Sequence, residues 1–263
     1  LDMAAAPGGK TSHLAALMGN QGTLVANDAN KSRMAGLQGN LARLGVTCAI
    51  AVNADGRDFP RLMGGFDRVL LDAPCSGMGV ISKDQSIKAE KGFADIQRCQ
   101  QLQKELLLHA IDSCNHKSAE GGFVVYSTCS ITVEENEAVV AYALASRCVK
   151  LCDTGLPFGA DGFTRYRSKR FPDAVRLTKR YYPRAHNMDC LFVAKLRKYA
   201  DGKPATSSEP ADASDSEETE EQVDAAAGNG RARGAAPVHG DAPRRVPTKK
   251  KARPLPRGSN RTL

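Results

Sequence analysis

Two cysteines lie in loops whose composition suits reaction better than packing. Cys75 sits in Asp72-Ala73-Pro74-Cys75-Ser76-Gly77 and Cys129 in Ser127-Thr128-Cys129-Ser130. Each loop follows a short apolar run, Arg68-Val69-Leu70-Leu71 and Phe123-Val124-Val125-Tyr126. A Cys just past a strand end can be reached by a substrate, and loop N–H groups and hydroxyls can favour its thiolate. A free thiol titrates at about 8.5, so without such help only a few per cent is thiolate at neutral pH. Pro74 and Gly77 mark a shaped loop. The pair is a candidate nucleophile and partner; the competing reading is two buried thiols with no chemistry.

The chain opens on a glycine-rich turn, Asp2-Met3-Ala4-Ala5-Ala6-Pro7-Gly8-Gly9-Lys10-Thr11. Gly9-Lys10-Thr11 fits the end of the phosphate-loop template G-x-x-x-x-G-K-[ST], but the first glycine of that template falls on Ala4 and Pro7 interrupts it. A nucleoside-triphosphate loop is therefore disfavoured, and the turn reads as one that lets the backbone approach a small charged ligand. Asp28 ends the next apolar run, where dinucleotide-binding folds place a carboxylate that grips a ribose diol. Alone, Asp28 would read as a turn residue at a strand end.

These residues need a scaffold, and the apolar pattern supplies one. Strands are expected over 23–28, 48–53, 68–72, 123–127 and 191–196, and helices over 31–44, 95–115 and 134–145. Strand–helix alternation implies an α/β fold with a largely parallel sheet. Ligands in such sheets bind beyond the carboxyl ends of the strands. Asp2, Asp28, Asp55, Asp72 and Ser127-Thr128-Cys129 all project from that edge.

Composition bounds the rest. The chain has 263 residues with 37 Lys or Arg against 29 Asp or Glu, a net charge of +8. All eight Phe and six Tyr lie at or before Tyr199, and a segment without aromatics buries too little surface to offset its chain entropy. One folded domain over 1–199 and a disordered tail over 200–263 are expected. The tail is acidic at 214–221 and basic over 231–263, where Lys249-Lys250-Lys251-Ala252-Arg253 suits a nuclear address or an auxiliary RNA contact. Eight scattered cysteines without a C-x-x-C pair argue against a zinc ribbon, predict no metal, and suit a reducing cytosol or nucleus. No apolar run approaches the ~20 residues of a membrane span. Residues 150–199 carry 12 basic and 4 acidic residues, with Arg165, Arg167, Lys169, Arg170, Lys179, Arg180 and Arg184 interleaved with Tyr166, Phe171, Tyr181 and Tyr182. Cations beside aromatics suit a phosphate backbone with stackable bases. The chain begins at Leu1, not Met, which predicts a piece with an upstream part missing.

Six blocks then carry a resemblance: DMAAAPGGKT (2–11), ANDAN-x-x-R (26–33), NADG (53–56), DAPCSG (72–77), STCSITVEENE (127–137) and YYPRAHNMDCLFVAKLRK (181–198). Together they resemble the RNA (cytosine-C5)-methyltransferase family over the whole folded part. The last block and the ITVEENE continuation are similar to the nucleolar branch, which modifies large-subunit ribosomal RNA and assists ribosome assembly. Cys190 stands where that branch usually has Gly. The resemblance implies a Rossmann-like class I S-adenosylmethionine-dependent methyltransferase, a largely parallel seven-stranded sheet with helices on both faces. It implies that Ala4, Ala5, Ala6, Pro7, Gly8, Gly9 and Lys10 form the S-adenosyl-L-methionine loop, with Asp28 on the ribose and Asp55 at the adenine side. It places Asp72 beside cofactor and cytosine, where a protonated Asp72 could stabilise charge near N3, makes Cys129 the nucleophile, and has Cys75 assist release. Arg167, Lys169 and Arg170 are the expected RNA contacts. A nucleolar monomer acting on large-subunit rRNA precursor within pre-ribosomal particles, with no membrane, follows from the same resemblance. The alternatives are the same chemistry on tRNA, or an RNA-binding assembly scaffold with incidental catalysis.

Overall fold

A computed structural model describes residues 1–81, 83, 85 and 91–204. The charged blocks at 214–221 and 231–263 lie outside the described residues. Ten strands are named among those described: β1 (Leu24–Asn27), β2 (Ala49–Val52), β3 (Arg68–Asp72), β4 (Gly122–Thr128), β5 (Val149–Cys152), β6 (Ala160–Asp161), β7 (Arg165–Tyr166), β8 (Lys169–Arg170), β9 (Lys179–Tyr181) and β10 (Leu191–Lys198). The longer helices are α1 (Gly9–Leu17), α2 (Lys31–Arg43), α3 (Phe93–Ser113) and α4 (Glu137–Ser146).

Residue Asp2 is the keystone of the sheet. It bridges in parallel to Ala26 of β1 on one side and to Leu70 of β3 on the other. Its N–H donates to the Val25 carbonyl at 2.8 Å, and Met3 N–H donates to Leu70 O at 2.9 Å. Counting this opening segment, the central order is β2, β1, the Asp2 segment, β3, β4, β10, β5, seven strands in all. β1 with β2 and β3 with β4 are parallel, and β10 runs antiparallel to both β4 and β5. The expected largely parallel seven-stranded sheet is observed, with its last inserted strand reversed.

Burial explains the layers. Leu71, Val124, Tyr126, Phe192, Ala194 and Leu196 project from the sheet into one core with Leu107, Ala110 and Ile111 of α3 and Val139, Val140 and Ala143 of α4. Ala26 points the other way, into a second core with Ala5, Ala6 and Met34, Leu37 and Leu41 of α2. The apolar spacing of α2 is what puts those three side chains on one face. Asn30 starts the helix by accepting from Ser32 N–H at 3.0 Å.

Two expectations change. The helix anticipated from Glu134 begins at Glu137, because the preceding side chains are drawn to the β4 loop. Thr128 Oγ1 donates to Asn136 Oδ1 at 2.6 Å, and Asn136 Nδ2 donates to Ser130 O at 2.9 Å. Arg180, expected within a basic surface, is 2% exposed. Its Nε donates to Glu137 Oε1 at 2.6 Å and its Nη2 to Glu137 Oε2, while the guanidinium lies 4.7 Å from the Phe163 ring centre. It ties β9 to the start of α4 and is removed from any phosphate.

Breaking a buried ion pair leaves an uncompensated charge, so Glu137→Ala is expected to lower the unfolding free energy by about 3–5 kcal/mol. Chemical denaturation of the variant checks this. A loss in the range of an exposed pair, about 0–1 kcal/mol, contradicts it.

Candidate active site

The parallel pairing of β3 with β4 sets Asp72 directly beside Ser127. Both chains then leave the sheet at the same edge, and Ala73 N–H donates to Ser127 O at 2.9 Å before they part. Cys75 is three residues past Asp72 and Cys129 two past Ser127. Their sulfurs come within 2.7 Å of one another. Gly79 packs against the Cys129 loop: its N–H donates to Cys129 O at 3.0 Å. A Cβ at Gly79 would stand 2.2 Å from that same oxygen and 2.4 Å from the Cys190 Cβ, so only glycine fits there. Cys190 is thus buried behind the Cys129 loop.

The two thiols are not equivalent. The hydrogen bond that Cys75 gives it holds Cys129 below the usual thiol range, against burial and the nearby negative charge of Asp72. The same contact, together with burial, pushes Cys75 far up. The two thiols titrate as a pair. Once the pair has lost one proton, these directions favour a Cys129 thiolate accepting from a Cys75 thiol. This is the nucleophilic form of Cys129 and the proton-carrying form of Cys75.

A cleft of about 240 Å³ opens next to this pair, lined by Asp2, residues 4–7, Gly9, Lys10 and Asp72. Asp72 belongs to both. Its Oδ1 accepts from Ser127 Oγ at 2.7 Å and its Oδ2 from Lys10 Nζ at 2.6 Å. The floor of the cleft is the opening turn. Gly8 has φ +101°, and a Cβ there would meet Leu37 Cδ1 at 2.9 Å. That glycine lets the turn lie tight on α2. Asp2 is 1% exposed; its Oδ2 accepts from Thr11 Oγ1 at 2.7 Å, and its Oδ1 has no partner among the described residues. Burial raises the Asp2 pKa.

Asp28, Asp55 and the residues of the β7–β8 hairpin are not in the lining of this cleft. Asp28 directly follows β1 and is buried; Ala6 N–H donates to its Oδ2 at 3.1 Å, Asn30 N–H to its Oδ1 at 2.9 Å, and Arg33 Nη1 lies 3.2 Å from Oδ2. It anchors the turn. Asp55 accepts from Arg57 through main chain and side chain, and this hydrogen bonding holds its carboxyl below the usual range. Arg167, Lys169 and Arg170 form the β7–β8 hairpin, away from the thiols in sequence and with Lys169 Nζ donating to Glu134 at 2.8 Å. Arg167 and Arg170 stay exposed. Among the described residues no cluster of three or more His, Cys, Asp or Glu side chains is placed to hold a metal. Sequence reasoning misses two features: the Lys10–Asp72 pair, and Glu135, which is fully buried beneath both cysteine loops. Only the STCSITVEENE block, where that acid recurs among hydroxyl residues, hints at the second.

The sheet order, the glycine-rich turn after its first strand and the cleft at the carboxyl edge define a class I S-adenosylmethionine-dependent methyltransferase. Residues 1–197 match the family model described as 16S rRNA methyltransferase RsmB/F, and the chain belongs to that family. It is 60% identical over 204 residues to a 28S rRNA (cytosine-C(5))-methyltransferase of Mus musculus, covering 78% of this chain and 26% of that protein. It is 59% identical over 206 residues to the 25S rRNA (cytosine-C(5))-methyltransferase nop2 of Schizosaccharomyces pombe, covering 78% and 34%. The chain thus spans between a quarter and a third of these relatives. The crystal structure of NSun6 from Pyrococcus horikoshii with SFG is similar at TM-score 0.66 and 36% identity, over 76% of this chain and 47% of that one.

The cleft fits the cofactor of the class. The buried Asp2 Oδ1, without a partner among the described residues, is an acceptor to which the amino group of S-adenosylmethionine would donate. Gly9 leaves open space at the turn.

The proton sharing has a direct consequence. Alkylation needs the thiolate, so Cys129 is expected to be modified with a pH midpoint below the ordinary ~8.5. Cys75→Ala removes the donor that stabilises the thiolate and is expected to move that midpoint upward. Iodoacetamide rates against pH, read by peptide mass spectrometry, check this; a midpoint that stays or falls in Cys75→Ala overturns the assignment of donor and acceptor.

Proposed function

We propose that this chain transfers a methyl group from S-adenosylmethionine to C5 of a cytosine in large-subunit ribosomal RNA, through a bond between Cys129 and C6 of the base. The contact of the two sulfurs at 2.7 Å beside Asp72 carries the reading. Cytosine C5 is a poor nucleophile. Addition of the Cys129 thiolate to C6 makes C5 enamine-like, and C5 can then take a methyl. The bound cofactor supplies that methyl as an electrophilic sulfonium substituent. Charge pushed onto the ring must be met near N3. The resemblance gives this task to a protonated Asp72, but the Lys10 ammonium sits on that carboxylate. The pair, rather than Asp72 alone, offers the proton donor at the cleft. A base then takes the C5 proton, the C–H electron pair restores the C5–C6 double bond, and Cys129 leaves C6 as a thiolate, which regenerates the nucleophile. Cys75, whose sulfur is 2.7 Å from that of Cys129, is proposed to assist this release.

Asp28 is proposed to meet the ribose, with the half-exposed Arg33 as the partner that yields, and Asp55 to lie toward the adenine. The rRNA assignment is supported by the activities for which the relatives about 60% identical are named. Work on rRNA precursor in pre-ribosomal particles, as a monomer in the nucleolus, follows from that substrate and from the resemblance to the nucleolar branch. The folded domain is taken as residues 1–199, and β10 ends at Lys198.

Opposite phenotypes on one denaturing gel test the cysteine roles. Cys129→Ala is expected to lose methylation and any covalent RNA adduct. Cys75→Ala is expected to keep forming the bond but fail to release it, giving a slow, RNase-sensitive band. The reverse pattern makes Cys75 the nucleophile, and no effect of either leaves RNA binding alone.

The β7–β8 hairpin is the proposed RNA contact outside the cleft. Arg167, Lys169 and Arg170 replaced by Ala are expected to weaken binding and flatten its salt dependence, by about 0.7–0.9 in log–log slope for each phosphate no longer neutralised. Titration of RNA binding against salt reads the slope; an unchanged slope excludes the hairpin.

A further inference from the structure

Glu135 is 0% exposed and collects donors from three segments at once. Ser76 N–H donates to Oε1 at 2.8 Å and Ser76 Oγ to Oε2 at 2.6 Å. Ser130 Oγ and Thr132 Oγ1 donate to Oε2, and Gln103 Nε2 of α3 donates to Oε1 at 3.0 Å. Ser76 follows Cys75 directly, and Ser130 follows Cys129 directly. Gln103 Nε2 also donates to Pro74 O at 2.9 Å, so both neighbours of Cys75 are tied to one hub. Tyr126 OH, donating to Glu135 O at 2.7 Å, fixes the main chain of the hub itself.

We propose that Glu135 is a positioning residue that clamps the Cys75 loop to the Cys129 loop and thereby holds the two sulfurs in contact. The catalytic consequence rests on the methyltransferase reading above; the clamp does not. A carboxylate suits the place because it is acceptor-only, with about four lone-pair sites on two oxygens, and every group facing it is a donor. Glutamine would keep one acceptor oxygen and turn its N–H₂ either toward the three hydroxyls or toward the Ser76 N–H and the Gln103 amide.

Neither helix capping nor electrostatic activation accounts for this acid. Glu135 is not the cap of α4, which starts at Glu137 with Asn136 as its N-cap. Nor does it activate the nucleophile electrically, since its negative charge raises the Cys129 pKa. No salt bridge to Glu135 is present among the described residues, so no cation explains its burial. Burying a charge without a cation is costly. What it provides is geometry: release requires Cys75 to reach an adduct on Cys129, and two loops on separate strands hold that distance only if something spans them.

The test reads the distance without RNA or turnover. Diamide converts two adjacent thiols to a disulfide; the thiols lose two electrons and two protons, and the azo reagent takes up both as a hydrazine. The 263-residue chain is treated with diamide, quenched with N-ethylmaleimide, and the Cys75–Cys129 crosslink followed by peptide mass spectrometry. Glu135→Gln is expected to crosslink about tenfold more slowly, the scale of one charged acceptor removed. Ser76→Ala and Ser130→Ala are expected to slow it less, and to add nothing in the Glu135→Gln background. Loss of the Glu135 charge alone would favour the Cys129 thiolate and speed the crosslink, so a slower rate reports separation. S-adenosylmethionine affinity is expected to be unchanged, because the cleft lining does not include these residues. A wild-type rate in Glu135→Gln, or a slower rate accompanied by reduced cofactor affinity, overturns the clamp. If Glu135→Gln does not fold, the Ser76→Ala, Ser130→Ala double variant is read by the same two outcomes. A clamp that passes in a chain that never methylates RNA leaves this inference standing and removes the functional reading.

Discussion

The register between β3 and β4 is the constraint on which the site depends. Asp72 pairs with Ser127, and the ladder runs back from there to Arg68 and Phe123. A slip of one residue would turn every side chain of a strand to the other face. Leu71 and Tyr126 would leave the core, and Asp72 would leave the cleft. The core therefore enforces the register, and the register decides which residues of the two loops can meet. Tyr126 joins these levels most tightly. Its ring packs edge-on against Phe192 while its hydroxyl reaches the main chain of the loop that carries the acidic hub.

Electrostatics at this edge follow from placement. Two thiols in contact, a carboxylate beside them and a lysine on that carboxylate form a chain from sulfur to cleft. Asp72 and Glu135 both disfavour the Cys129 thiolate, and the hydrogen bond from Cys75 outweighs them. Activation is local and directional, supplied by one donor at one distance.

Much of this is legible in the sequence. Pro74 and Gly77 past a strand end mark the Cys75 loop, hydroxyl residues past another mark the Cys129 loop, and alternating periodicities mark the sheet. The glycine-rich turn is readable because its φ values exclude most residues. What cannot be read are partnerships between distant side chains. Arg180 stands in a basic stretch, and only the fold shows that Glu137 draws it inward. Glu135 looks like any acid in an acidic run until Ser76, 59 positions away, is brought beside it. The short strands β6 to β9 span two or three residues each, too few to show a period.

Position 28 illustrates how little room such a junction leaves for change. Its two oxygens each meet a different main-chain donor, Ala6 N–H and Asn30 N–H, and a guanidinium closes over one of them. Asparagine has the length but only one acceptor oxygen, so one amide would face an N–H₂. Glutamate has both oxygens on a stem one methylene too long for a buried site packed to this density. Serine reaches neither. The aspartate therefore has almost no neutral neighbours in sequence space, and drift at this position would be seen first as a loosened turn.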